Sequence, residues 1–270
     1  MSGRVLASAA GLLAALVLLV LTAAPDTVSA DLWKFLSLGF VLGMAHALDA
    51  DHLAAVAAMV DRRDGPRLLI LRGAAWGLGH TASLFVIGTS VVLLGLSISG
   101  GLEAALELAV GLMIVALGVR VLVRLRRERI HIHFHEHDGS RHIHAHSHAG
   151  ETDRHDLSRH DHAHGSARGQ LVTFGVGLLH GAAGSAGLLV LTVAATDSLL
   201  EAVLYFATFG IGSLAGMAAL TGMASLPLAM IQRGAGWMKT ATALSVGGFA
   251  IWIGGSLAVH SLAGLRAAGL

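Results

Sequence analysis

The chain has 270 residues, 54% of them hydrophobic and 13% charged, with 18 Lys+Arg against 17 Asp+Glu and no cysteine. Soluble domains carry about 25% charged residues, so this composition is that of a membrane protein. A formal charge of +1 with no broad basic face excludes a nucleic-acid binder. The missing cysteine excludes a disulfide framework, a cysteine zinc finger and an iron–sulfur site. Against this background the 17 histidines are an excess that needs a cause.

In chain order, residues 1–30 come first. The apolar run Val5 to Ala24 follows Arg4 and precedes Pro25 and Val28-Ser29-Ala30. That layout suits either a signal peptide cleaved after Ala30 or an uncleaved transmembrane helix. A bilayer core of about 30 Å takes about 20 apolar residues in helical form, and six such helices are expected from residue 32 onward. Residues 35–60 carry only Asp49 and Asp51 as charges, and residues 73–102, 169–196, 202–232 and 240–265 carry none. The stretch 103–123 is weaker, because Glu103, Glu107 and Arg120 lie in it. The expected fold is therefore an all-α polytopic membrane protein. Its first three-helix repeat spans 31–125, a His-rich loop 126–168, and a second three-helix repeat 169–270.

Lys and Arg accumulate in cytoplasmic loops. Arg62, Arg63, Arg67 and Arg72 fill one loop, nine arginines from Arg120 to Arg168 border or fill the next, and Arg233 and Lys239 flank a third. The alternate connections, about 96–103 and 196–200, hold none. The expected protein is thus multi-pass in the cell membrane, with the His-rich loop cytoplasmic and the C-terminus outside. Asp26, Asp31, Glu103, Asp197 and Glu201 fall on the outer side, where they either concentrate cations or cap helix starts.

An internal repeat is visible at about half the chain length. Gly43-Met44-Ala45-His46 matches Gly177-Leu178-Leu179-His180, Trp76-Gly77-Leu78-Gly79-His80 resembles Phe209-Gly210-Ile211-Gly212-Ser213, and Gly111 and Gly118 pair with Gly247 and Gly254. Three helices per repeat give the halves opposite senses across the membrane. That is the 3+3 inverted-repeat plan of many secondary transporters, whose sites lie near the midplane at the repeat interface. Most of the glycines are explained by close helix packing in lipid. Those beside His180 also permit a locally unwound helix.

The densest polar cluster is His46-Ala47-Leu48-Asp49-Ala50-Asp51-His52. An ionised carboxylate near the bilayer centre costs about 2.5–3.5 kcal/mol on the mildest scale, so two aspartates need compensation. A divalent cation held by carboxylates and neutral imidazoles supplies it, and mixed His/Asp ligation suits nickel, cobalt or zinc. On an ideal helix His46, Asp49 and His52 share one arc and Asp51 points elsewhere. Asp51 then orients a ligand, faces another helix, or lies where the helix is broken. The competing reading places the cluster in headgroup water at the helix end. His80 and His180 each stand alone in an uncharged span, as a hydrogen-bonded core histidine would. The repeat makes His46 and His180 equivalent, which favours their convergence at the centre. Ser185, Thr81, Ser83 and Ser213 are weaker candidates for hydroxyl contacts.

His46-Ala47-Leu48-Asp49-Ala50-Asp51-His52 resembles the His-x4-Asp-His signature of the nickel/cobalt permease family, and Leu78-Gly79-His80-Thr81 resembles its second motif. Gly177 to Leu188 is similar to the corresponding segment of shorter urease-associated and efflux-type relatives. The resemblance covers about residues 32–265. It implies a metal-selecting group of His46, Asp51 and His52 assisted by His80. The chain departs from the uptake permeases in its fourth helix and at Ala45, where arginine is usual; these departures bear on transport direction and metal preference.

Twelve of the 17 histidines fall between His131 and His164. His131, His133, His135 and His137, then His142, His144, His146 and His148, alternate with single residues. Such a tract buries no core and is expected to be disordered without metal, serving either to capture metal on the cytoplasmic side or as a tether. No phosphate-binding Gly-x4-Gly-Lys-Ser/Thr motif occurs, so the expected function is secondary transport of Ni²⁺ or Co²⁺, without enzymatic activity or a resident cofactor. Metallochaperones or metalloenzyme maturation proteins are the expected protein partners. An exporter of small organic solutes would share the helix plan but leaves the histidines unexplained. A membrane metalloenzyme would need a His-Glu-x-x-His or diiron histidine motif, and the chain has none.

Overall fold

The computed structural model describes residues 30–60, 65–95, 98–127, 130–137, 140–147, 167–184, 198–224, 227, 231 and 236–270. The apolar run 5–24 and Ser185 lie outside the described residues. Among the described residues there are seven helices: α1 (Ala30–His46), α2 (Ala50–Met59), α3 (Pro66–Leu94), α4 (Gly100–Arg127), α5 (Ala167–Ala183), α6 (Leu199–Met223) and α7 (Gly236–Ala267). Two strands, β1 (Ile130–His137) and β2 (Ser140–Ser147), lie between α4 and α5.

Helices α3, α4, α6 and α7 have 29, 28, 25 and 32 residues and are apolar enough to cross a membrane. At about 1.5 Å per residue each exceeds the roughly 30 Å of a bilayer core. Their ends are set locally. Pro66 opens α3, and Gly95, at φ 60, closes it with its N–H on the Val91 carbonyl. Ser198 accepts from the Glu201 N–H at the start of α6, the Ser-x-x-Glu spacing of a capping box. Glu103 in the first turn of α4 and Arg124, Arg126 and Arg127 in its last complement the helix dipole.

The first expected span is divided. α1 ends at His46 and α2 starts at Ala50, with Asp49 extended at φ −60, ψ 148 between them. Leu48 and Asp49 turn back to the carbonyls of Ala45 and His46 at 2.9 and 3.1 Å. Of the three alternatives for Asp51, the break is what allows it inward: the ideal-helix arc does not continue through residues 47–49.

Packing follows the glycines. α1 packs on α6, α5 on α3, α3 on α6, and α4 on α7. A Cβ on Gly43 would meet the Phe209 carbonyl and one on Gly177 the Trp76 carbonyl. Gly79 abuts the Phe174 carbonyl, Gly212 that of Phe40, Gly111 that of Gly254, and Gly118 that of Gly247. Backbones in lipid gain their packing from such close approach. Gly43→Val and Gly177→Val are therefore expected to cost at least the roughly 1–3 kcal/mol of ordinary overpacking, because backbone must move. The yield of monodisperse protein in detergent should fall for both, whereas Gly248→Ala, with nothing within 4 Å of the added carbon, should be neutral.

The outer surface is apolar, and a few polar side chains are buried within the apolar interior. Val86, Leu112, Trp252 and Val259 are exposed, while His52, His80, His180 and Ser213 are at most 2% exposed. Exposed apolar surface is the expected outer face of a protein in lipid, and polar groups there turn inward.

Two runs of the His-rich tract, 130–137 and 140–147, are described as strands. β1 and β2 pair antiparallel, with His131 opposite His146, His133 opposite His144 and His135 opposite His142. The alternation of histidine with Ile130, Ile132, Phe134 and Ile143 is a strand-like period of two. Asp138-Gly139 between the runs is a strong hairpin signal. His148 lies outside the described residues.

Candidate metal centre

The break after α1 places two ligand-bearing segments back to back. His46 ends α1, and Asp51 and His52 occupy the first turn of α2. His80 comes from the middle of α3 and His180 from the last turn of α5. The His52 ring centroid lies 4.5 Å from His46, 5.3 Å from His80 and 4.1 Å from His180, which makes it the hub of the cluster.

Two carboxylates orient the rings. Asp49 Oδ2 stands 2.7 Å from His46 Nδ1. Asp51 Oδ1 stands 3.0 Å from His52 Nδ1, and its Oδ2 stands 2.8 Å from His180 Nε2. An ionised carboxylate only accepts, so each of these ring nitrogens carries the proton of a neutral imidazole. The opposite nitrogens then hold lone pairs, the carboxylate–histidine–metal arrangement by which ligands are held in one tautomer. Those opposite atoms, His46 Nε2, His52 Nε2 and His180 Nδ1, are buried without a hydrogen-bond partner, as are both nitrogens of His80. A buried polar atom left unsatisfied costs about 1–3 kcal/mol, and several converge here.

The side chains form two triads with ligand atoms within 4.8 Å of one another: His46, His52 and His80, and Asp51, His52 and His180. Neutral imidazoles with a single carboxylate suit a borderline divalent ion such as nickel, cobalt or zinc.

Of the six membrane residues expected from the sequence, five converge. Asp49 braces His46 from a position 54% exposed, while Asp51 sits between His52 and His180, so the roles suggested by the ideal-helix arc are exchanged. His260 is exposed near the end of α7. Sequence reasoning missed two neighbours. The Trp76 ring lies 5.4 Å from His52 and 5.7 Å from His180, and the Phe209 ring lies 5.5 Å from His46. Their signal was present: Trp76 precedes His80 by one helical turn, and it aligns with Phe209 when the sequence from Trp76 to His80 is matched to that from Phe209 to Ser213. Ser213, weighted low, has a buried hydroxyl with no partner.

Apolar membrane helices closed around four imidazoles and a carboxylate define an integral membrane protein with a buried His/Asp centre. Over 203 residues, covering 75% of this chain and 81% of the relative, the sequence is 32% identical to the urease accessory protein UreH of Bacillus sp. (strain TB-90). The chain belongs to the family of that protein, an accessory protein and not an enzyme. No protein-family model and no solved structure matches the chain.

Proposed function

We propose that the chain is a secondary transporter of Ni²⁺ or Co²⁺, with His46, Asp51, His52, His80 and His180 as the ion site and Asp49 as a brace. The observation that carries this reading is the convergence of unpartnered imidazole nitrogens, three of them on rings held by carboxylates, inside an apolar helix bundle. The relative's name ties it to urease, a nickel enzyme, which favours nickel among the borderline metals. Metallochaperones or enzyme maturation proteins are then the receivers or donors of the ion.

The proposed architecture has six spans in a 3+3 inverted repeat, 31–125 and 169–270, around the cluster. Paired packing supports it: Gly43 meets Phe209 as its equivalent Gly177 meets Trp76, Gly212 meets Phe40 as Gly79 meets Phe174, and Gly111 meets Gly254 as Gly118 meets Gly247. Two copies of one unit related by a two-fold axis exchange contacts in this reciprocal way. Basic loops place the segment 126–168 in the cytoplasm and the C-terminus outside.

Nickel and cobalt flux in cells expressing the chain, beside His46→Ala, tests the function. Flux above control that falls in the variant supports it; equal flux in both overturns it. Total cell metal, raised for import and lowered for export, gives the direction. The paired histidines of β1 and β2 are proposed as a cytoplasmic metal buffer. Replacing the histidines at 131, 133, 135, 142, 144 and 146 with asparagine should leave flux at saturating metal unchanged and alter it at limiting metal. An unaltered flux at both levels would make the segment a tether.

A further inference from the structure

The cluster is bounded by two aromatic rings that the ion-site reading does not use. Phe209 of α6 lies against His46 of the first triad, and behind it Tyr205, Phe35 and Leu84 build a packed apolar layer. Trp76 of α3 lies against His52 and His180 of the second triad. Its other side lines a small pocket of about 10 Å³, room for about one water, together with Val60, Leu69, Arg72, Thr173 and Thr221. These residues adjoin the ends of α2, α3, α5 and α6 that carry the basic loops. Trp76 and Phe209 also occupy matching places in the two halves, each with its carbonyl against the matching glycine of the other pair, Gly177 and Gly43.

We propose that the cluster is two ion positions in series that share His52, the His46/His52/His80 position closed by Phe209 and the Asp51/His52/His180 position closed by Trp76. This rests on the transport reading above. His52 is the only side chain common to both triads, and it has one nitrogen on Asp51 and the other unpartnered. With the ion in the first position, Nε2 ligates and the proton stays on Nδ1, held by Asp51. With the ion in the second, Nδ1 and a carboxylate oxygen ligate, and the His52 proton moves to Nε2. His180 makes the corresponding exchange between Nε2 and Nδ1. Each imidazole carries one proton in both states, so the transfer is neutral in net protons; the exchange between ring nitrogens is relayed by water, which takes the proton from one nitrogen and returns one to the other. One aromatic ring per position means that each side of the membrane reaches the nearer position first.

The absence of native cysteine allows a direct test. Ser213 lies one turn along α6 from Phe209, is fully buried, and is the repeat equivalent of His80. Ser213→Cys in the full chain is treated with a charged thiol reagent in right-side-out and inverted vesicles. Adding Trp76→Ala should speed labelling at least about tenfold from the cytoplasmic side only, and adding Phe209→Ala should do so from the outer side only, as expected for removal of a closing element. Unchanged rates, or acceleration from both sides by either variant, would overturn the gates. In these backgrounds Ni²⁺ should slow labelling. His180→Ala should raise the Ni²⁺ concentration needed for that protection from the cytoplasmic side and His80→Ala from the outer side; equal effects from both sides would make the cluster a single site. If the metal reading itself is wrong, Ni²⁺ gives no protection while the sided labelling persists.

Discussion

His52→Ala should reduce nickel flux more than any other single substitution in the chain. The imidazole is a member of both triads and is 1% exposed. Loss of a residue that merely orients a ligand costs about 10- to 100-fold in metal affinity or activity. Loss of a side chain shared by both triads is expected to exceed that, giving a fall of more than about 100-fold. The substitution also opens a hole beside Trp76 and His180, so it is paired with His52→Gln, which keeps much of the volume. Flux of labelled nickel into vesicles, normalised to the monodisperse protein present, checks both. Retention of more than a tenth of the parent rate by either variant would remove His52 from the pathway.

Asp51→Asn separates function from folding. The carboxylate receives His52 Nδ1 and His180 Nε2 on its two oxygens at 3.0 and 2.8 Å. An amide of the same shape offers an acceptor to only one of them. Its NH₂ faces the other nitrogen and selects the opposite tautomer, which withdraws a lone pair from the ion. A fall in flux of about 10- to 100-fold is expected. Stability without metal should move the other way or not at all, because an ionised carboxylate at membrane depth costs about 2.5–3.5 kcal/mol that the amide avoids. Thermal unfolding in detergent together with flux checks the pair of signs. A variant that loses flux and metal-free stability together would instead give Asp51 a structural role.

Much of the site was legible because its chemistry is concentrated in a few residues. Carboxylates and histidines stand out in uncharged spans, and the match of His46 with His180 in the sequence points to their convergence. The division of labour between Asp49 and Asp51 was only partly legible. The family resemblance named Asp51, and a broken helix was one of three alternatives for it, but an arc drawn on an unbroken helix favoured Asp49; the backbone turn at Leu48 and Asp49 selects among them. The two ring neighbours were passed over for a different reason: Trp76 and Phe209 have the composition of ordinary packing residues, so the one-turn spacing of Trp76 from His80 and its match with Phe209 carried little weight until their distances to the imidazoles were known. In the His-rich tract the low apolar content argued for disorder. The alternation of histidine with single residues is also a strand-like period of two, and residues 130–137 and 140–147 pair as strands. Four long helices were read correctly from their lack of charge, including α4, whose Glu103, Glu107 and Arg120 had weakened it. Glu103 sits in its first turn, and the Ser261 hydroxyl donates to Glu107 from α7 at 3.3 Å.

The central claim is that the buried His/Asp cluster itself binds the transported ion. X-ray absorption at the nickel edge tests it most directly, on purified protein whose loop histidines from 131 to 164 are replaced by asparagine so that only the membrane site contributes. The spectrum is predicted to show nitrogen and oxygen ligands with the outer-shell scattering of several imidazoles, and to lose that scattering in His52→Ala. Nickel bound with the same imidazole signal in both proteins, or with none in either, would contradict the account.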